Sequence, residues 1–125
     1  MDKSILVVDD ESFVRQSFAD FLEDNLWETH QAESGEAALE ILSGVKISAA
    51  IVDIRLGGMV GDEFIRRALH LYPQMVFLIC TGSPEYHIPS DIFDSERVSP
   101  ILFKKPVSRM SELDVELSRL IGHKI

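Results

Sequence analysis

The 125-residue chain has a single cysteine, Cys80, so no internal disulfide can form, and a reducing cytoplasm is the compartment this usage suits. Long hydrophobic runs are also missing. The longest, Met75 to Cys80, falls far below the ~18 residues needed to cross a bilayer. At the N-terminus only Ile5 to Val8 precede Asp9, Asp10 and Glu11, too short and too acidic a stretch for a secretory signal. Basic residues are scarce in one region. Residues 1 to 45 hold eleven acids and two bases while the remainder balances at ten each, so the net charge of −9 sits in the N-terminal third. That field repels phosphate backbones and anionic lipid, which argues against direct nucleic-acid binding or membrane insertion and for a metal cation. No repeat or low-complexity segment appears. With 46% hydrophobic residues, the chain suits one domain over residues 1–125 with a substantial core.

What is present is a rhythm of apolar runs, Ile5 to Val8, Ala49 to Val52, Met75 to Cys80 and Ile101 to Phe103, separated by helical patterns. Unbroken aliphatic runs are expected of strands buried on both faces, as in a parallel sheet covered by helices. Trp27 to Ala32 mixes in Glu28, Thr29, His30 and Gln31 and reads as a half-exposed edge strand. Val14, Phe18, Phe21 and Leu22 predict an amphipathic helix from Ser12 to Asp24. Ser34 caps a second helix, which carries Ala38, Ile41 and Leu42 inward and stops at Ser43 and Gly44. A third spans Asp62 to Tyr72, burying Phe64, Ile65, Ala68 and either Leu71 or Tyr72, with Pro73 blocking continuation. The last starts at Ser108, buries Met110, Leu113, Leu117, Leu120 and Ile121, and ends at Gly122. Between these, Ser83-Pro84-Glu85 is a sound helix start, but Pro89 follows so soon that the fourth helix should be broken or short.

Alternating strands and helices give an α/β, doubly wound (βα)5 fold, and right-handed crossovers favour the flavodoxin-like order 2-1-3-4-5. In such a sheet all C-terminal strand ends share one edge. Asp9 and Asp10 follow the first strand, Asp53 the third, Thr81 the fourth and Lys105 the fifth. Carboxylates about 5 Å apart repel by roughly 3 kcal/mol at an effective dielectric near 20, which a divalent cation relieves. Oxygen-only ligands with water and a phosphate describe Mg²⁺ better than Zn²⁺ or Ca²⁺. A carboxylate nucleophile beside Mg²⁺, an ammonium and a hydroxyl suits phosphoryl transfer. Read singly, Asp10 could serve only as a helix cap, Thr81 as a turn residue, Lys104 as a solvated neighbour and Cys80 as a small core residue. His30, His70, His87 and His123 lack metal spacing and read as surface or edge residues.

Ile5-Leu6-Val7-Val8-Asp9-Asp10-Glu11, Ile51-Val52-Asp53 followed by Leu56, Met59 and Gly61, then Thr81-Gly82 and Lys105-Pro106, give a sequence that resembles the receiver domain of two-component response regulators. The resemblance covers nearly the whole chain. It implies that Asp53 is the phosphoacceptor, supplied by a histidine kinase or phosphotransfer protein. It further implies direct Mg²⁺ ligation by Asp10, Asp53 and the main-chain carbonyl of Arg55, with Asp9 acting largely through water. Thr81 would hydrogen-bond the phosphoryl group, Lys105 would pair with it, and a cis bond would precede Pro106. Arg55 and Ser83 occupy positions that influence acyl-phosphate lifetime in similar domains. Output would be a population shift passed to a downstream target or output domain, and a homodimer is among the expected forms.

The sequence departs from the family in three places. Leu102 stands where an aromatic is usual three residues before the lysine, with Phe103 as the neighbouring substitute. Gly57 replaces a usual proline, which should loosen the loop after Asp53. The fourth helix is irregular. Two other functions compete with a phosphorylation switch that is not a metabolic enzyme. One is a phosphorylation-independent interaction module, favoured by Leu102. The other is a Mg²⁺-dependent small phosphohydrolase, for which 125 residues leave no cap domain. An FMN-binding flavodoxin is disfavoured because Asp9-Asp10-Glu11 would repel its phosphate.

Overall fold

A computed structural model describes residues 3–123, the side chain of His123 excepted, so the expectation for that histidine lies outside the described residues. Strands β1 (Ser4–Val8), β3 (Ala49–Val52) and β4 (Val76–Thr81) are buried at every position, which is why their sequences are apolar apart from Ser4 and Thr81 at the ends. With β2 (Glu28–Ala32) and β5 (Val98–Lys104) they form a parallel sheet in the order β2-β1-β3-β4-β5. Register aligns Val8 of β1 with Ala32 and Val52, and Val52 with Ile79 of β4, so the strands end nearly level. The edge falls to β2, where Ala32 alone is fully buried, while Trp27 just before it is packed inside.

Helices α1 (Ser12–Asp24), α2 (Gly35–Gly44), α3 (Gly61–Leu71), α4 (Ser90–Phe93) and α5 (Met110–His123) cover both faces. Phe18 and Leu22 of α1 and Leu113, Leu117 and Ile121 of α5 pack with Ile5, Val7, Ile51 and Leu78. On the other face Leu42, Phe64, Ile65 and Ile92 pack with Leu6, Val8, Val52 and Ile79. Each such side chain contributes roughly 1.5–3 kcal/mol of burial free energy. Phe64 and Phe77 add an edge-to-face contact with ring centroids 6.4 Å apart.

Local signals explain most boundaries. Ser34 caps α2 by accepting from the Ala37 N–H at 3.0 Å. For α1 the cap is Glu11, with no side-chain bond, so Asp10 is not its cap and stands free of that role. Tyr72 packs against the core while Leu71 is exposed, Met110 and Ile41 are only half-buried, and α5 starts at Met110 and includes Gly122.

The fourth helix is short as expected but begins elsewhere. Ser83-Pro84-Glu85 forms a turn, and Pro89 caps the four-residue α4 rather than ending a helix. A proline lacks the N–H that a helix start does not need, so it tolerates that end better than the interior. Among the described residues no helix is long and apolar enough to cross a membrane.

Candidate functional site

The sheet ladder continues one residue beyond three of its strands, and this places the polar side chains. The Asp53 N–H donates to the Val8 carbonyl at 2.9 Å, the Asp9 N–H to Ala32 at 3.1 Å and the Lys105 N–H to Thr81 at 3.0 Å. Side chains at these positions are therefore held by main-chain geometry rather than by loop packing. Oxygens of Asp9, Asp10 and Asp53 all lie within 4.8 Å of one another. Asp9 and Asp53 are buried, at 2% and 5% exposure, whereas Asp10 is open to solvent.

Two buried carboxylates so close repel by roughly 3 kcal/mol at an effective dielectric near 20, and the Lys105 ammonium relieves this. Its Nζ lies 2.6 Å from Asp9 Oδ2, 2.9 Å from Asp53 Oδ2 and 3.9 Å from Glu11 Oε1. Burial works to lower the lysine pKa, but hydrogen bonds to Asp9 and Asp53 outweigh it and hold the ammonium charged. Burial pushes Asp53 the opposite way, raising its pKa, and Lys105 offsets only part of that rise. One ammonium faces Asp9, Asp53 and the more distant Glu11, so the cluster as a whole favours more positive charge.

Loop bonds orient the carboxylates further. Asp53 Oδ1 accepts from the Arg55 N–H at 3.2 Å, and Asp9 Oδ1 from the Glu11 N–H at 2.9 Å. Arg15 donates to the Asp9 carbonyl at 2.7 Å and so braces the acidic turn. Sequence reasoning missed Arg15, although it is one of only two bases within residues 1–45. Thr81 is fully buried on β4, and its Oγ1 accepts from the Ser83 N–H at 3.1 Å, while Arg55 donates to Ser83 Oγ at 3.2 Å. Gly61 is required by closeness: a Cβ there would lie 2.4 Å from the Asp53 carbonyl and 2.8 Å from Ile54 Cα.

The clustered donors are carboxylate oxygens, without thiolate or imidazole, and they fit a hard cation such as Mg²⁺. A cleft of about 670 Å³ opens beside it, reached past Asp10, Asp53 and Lys105 and walled by Phe13, Val107 and Met110. Lys104 is exposed, as are His70 and His87, while His30 is half-buried at the edge and paired with Glu28. Cys80 is a buried core residue whose thiol pKa is pushed up to about 12 by burial, which keeps it unreactive.

Two of the three departures lie in well-defined surroundings. Phe103 does not substitute for an aromatic at Leu102, because successive strand residues face opposite sides of the sheet. Leu102 packs on the side of α3 and α4, and Phe103 with Leu113 and Leu117 of α5. On either side of Gly57, where the loop after Asp53 is expected to be loose, the structure shows contacts with the rest of the chain. Leu56 is buried, and the Met59 N–H donates to the Glu36 carboxylate at 3.2 Å around Gly58, whose φ of +77° suits glycine. The bond between Lys105 and Pro106 is cis, as the resemblance implied.

Comparison with known proteins gives the same picture. The chain is similar to the heme response regulator HssR of Staphylococcus epidermidis, 34% identical over 84 residues that cover 67% of this chain and 31% of that protein. It is 27% identical over 105 residues to a cyclic di-GMP phosphodiesterase of Thermotoga maritima, covering 84% of this chain and 27% of the relative. The chain thus spans about a third of the length of these curated relatives. Among solved structures, a CheY-like receiver domain protein of Methanospirillum hungatei matches with a TM-score of 0.84 at 24% identity over 98% of this chain and 96% of that one. An adenylate cyclase structure from Rhodopirellula baltica matches at 0.85 and 27%, over 98% and 89%. The family model for the response regulator receiver domain matches residues 5–111, a span that contains the acidic cluster, Thr81 and Lys105, and the chain belongs to that family.

Proposed function

We propose that residues 1–125 are a single phosphorylation switch in which Asp53 accepts a phosphoryl group from a histidine kinase or phosphotransfer protein. The observation that supports this best is the closeness of Asp9, Asp10 and Asp53 around the Lys105 ammonium, 2.6 and 2.9 Å from two of them. An Asp53 carboxylate oxygen attacks phosphorus, the bond from phosphorus to the donor imidazole nitrogen breaks, and the imidazole leaves with a proton from solvent. Lys105 pairs with the equatorial oxygens and the Thr81 hydroxyl donates to one of them, stabilising charge as it develops. Asp9, Asp10, Asp53 and the Arg55 carbonyl would hold Mg²⁺, which when bound neutralises phosphoryl charge. Water later cleaves the acyl phosphate, with Arg55 and Ser83 placed to influence how fast.

The working compartment in this reading is the cytoplasm, and the output is a protein target or an attached domain, with a homodimer as one form. A phosphorylation-independent interaction module is the second reading, favoured by Leu102 and the four-residue α4. Intact mass after incubation with a small phosphodonor and Mg²⁺ separates the two. One added phosphoryl group, absent with chelator and in Asp53→Asn, is expected; no adduct under any condition would favour the second.

A further inference from the structure

The loop after Asp53 runs into α3, and a strong side-chain bond joins the first turn of that helix to the connection from β4 toward α4. The Tyr86 hydroxyl donates to Asp62 Oδ1 at 2.7 Å, and Asp62 directly follows Gly61, the residue pressed against the Asp53 carbonyl. Tyr86 is half-buried and its ring packs against the core face that also holds Leu102. We propose that Tyr86 and Asp62 form a latch holding the β4–α4 connection in its unphosphorylated position, so that Tyr86 is the aromatic positioning residue of a chain with none at Leu102. The proposal rests on the reading of Asp53 as phosphoacceptor.

Tyr86 stands five residues after Thr81, so motion of Thr81 toward a phosphoryl group is passed along a short segment. Among the described residues, the main-chain bonding within Gly82 to Ile88 is a single long contact, Tyr86 N–H to the Ser83 carbonyl at 3.4 Å. Ser83 is tied to Thr81 Oγ1 and to Arg55 at 3.1 and 3.2 Å, and beyond it, among the described residues, the side-chain bond that holds the segment is that of Tyr86 to Asp62. A bond from hydroxyl to carboxylate at 2.7 Å is charge-assisted and is lost when the partners separate by about 1 Å. The phenol is protonated and a donor at neutral pH, and burial and then the bond to Asp62 raise its pKa further. The nearby pair of Arg66 and Asp91, at 2.8 and 3.1 Å, is exposed and constrains the segment weakly.

If the latch exists only in the unphosphorylated form, breaking it favours the phosphorylated one. The test is the apparent affinity for beryllofluoride with Mg²⁺, measured by calorimetry on the wild type, Tyr86→Phe, Asp62→Ala and the double variant, with melting temperatures alongside. Each single variant is expected to tighten binding by about three- to tenfold, and the double variant by no more than either alone. Affinity that is unchanged or weakened in the single variants, or changes that multiply in the double variant, would overturn the latch. A purely structural role would lower melting temperature without moving the affinity. A wild type that neither binds beryllofluoride nor accepts a phosphoryl group would overturn the phosphoacceptor reading itself, and the latch with it.

Discussion

At the residue scale the site is a balance between crowded carboxylates and one ammonium. Burial raises the Asp53 pKa above its usual value, so its ionised form costs the folded state stability. A group with a raised folded pKa contributes fully below its unfolded value and loses that contribution as pH rises through the folded one. In chelator at neutral pH, Asp53→Asn should therefore melt higher than the wild type, and the gap should close as pH falls and the wild-type carboxyl is protonated. Lys105→Met has the opposite sign. It leaves Asp9 and Asp53 facing each other without a cation, each keeping only a main-chain N–H donor, and a loss of about 3 kcal/mol is expected in chelator by denaturant titration, partly recovered on adding Mg²⁺. These site residues were legible because each follows a strand-like run, whereas Arg15 and the pair Tyr86–Asp62 were not. Arg15 reaches back from α1 to the Asp9 carbonyl six residues away, a contact that its residue type does not announce, while Tyr86 and Asp62 are 24 residues apart and meet only through the topology.

At the element scale, two predictions follow from what holds the loops and the last strand. A Cβ at Gly61 would meet backbone rather than flexible side chain, so Gly61→Ala should cost about 1–3 kcal/mol in a melt and slow phosphoryl uptake by displacing Asp53. On β5 and α5, buried Glu116 accepts from Ser99 Oγ and from Arg119 Nε at 2.8 Å. Arg119 is the main cause of a lowered Glu116 pKa, so the stability it contributes is present above its unfolded value near 4.5 and lost as pH falls through the folded one. Glu116→Gln should melt lower than the wild type at pH 7, with the difference vanishing in acid. The start of α4 was misread because Ser83-Pro84-Glu85 and Pro89-Ser90 both carry helix-opening chemistry. Residues 84 and 85 turn instead, so local signals alone could not choose.

At the scale of the whole molecule, the fold was readable because buried strands and amphipathic helices alternate with little ambiguity. Ile5, Val7, Ile51 and Leu78 face one helical layer while Leu6, Val8, Val52 and Ile79 face the other, as a parallel sheet covered on both faces requires. The order 2-1-3-4-5 then brings the ends of β1 and β3 side by side and converts scattered carboxylates into a cluster. What the order does not encode is the face taken by Phe103, which needs the register of β5 past its irregularity between Phe77 and Ile79 of β4. Phosphoryl acceptance on Asp53 is tested by exposing the chain to a small phosphodonor with Mg²⁺, reducing it with borohydride and sequencing its peptides by mass. An aspartyl phosphate is reduced to homoserine. Homoserine at position 53 alone is the expected result, and homoserine at Asp9 or Asp10 instead, or at no position, would contradict it.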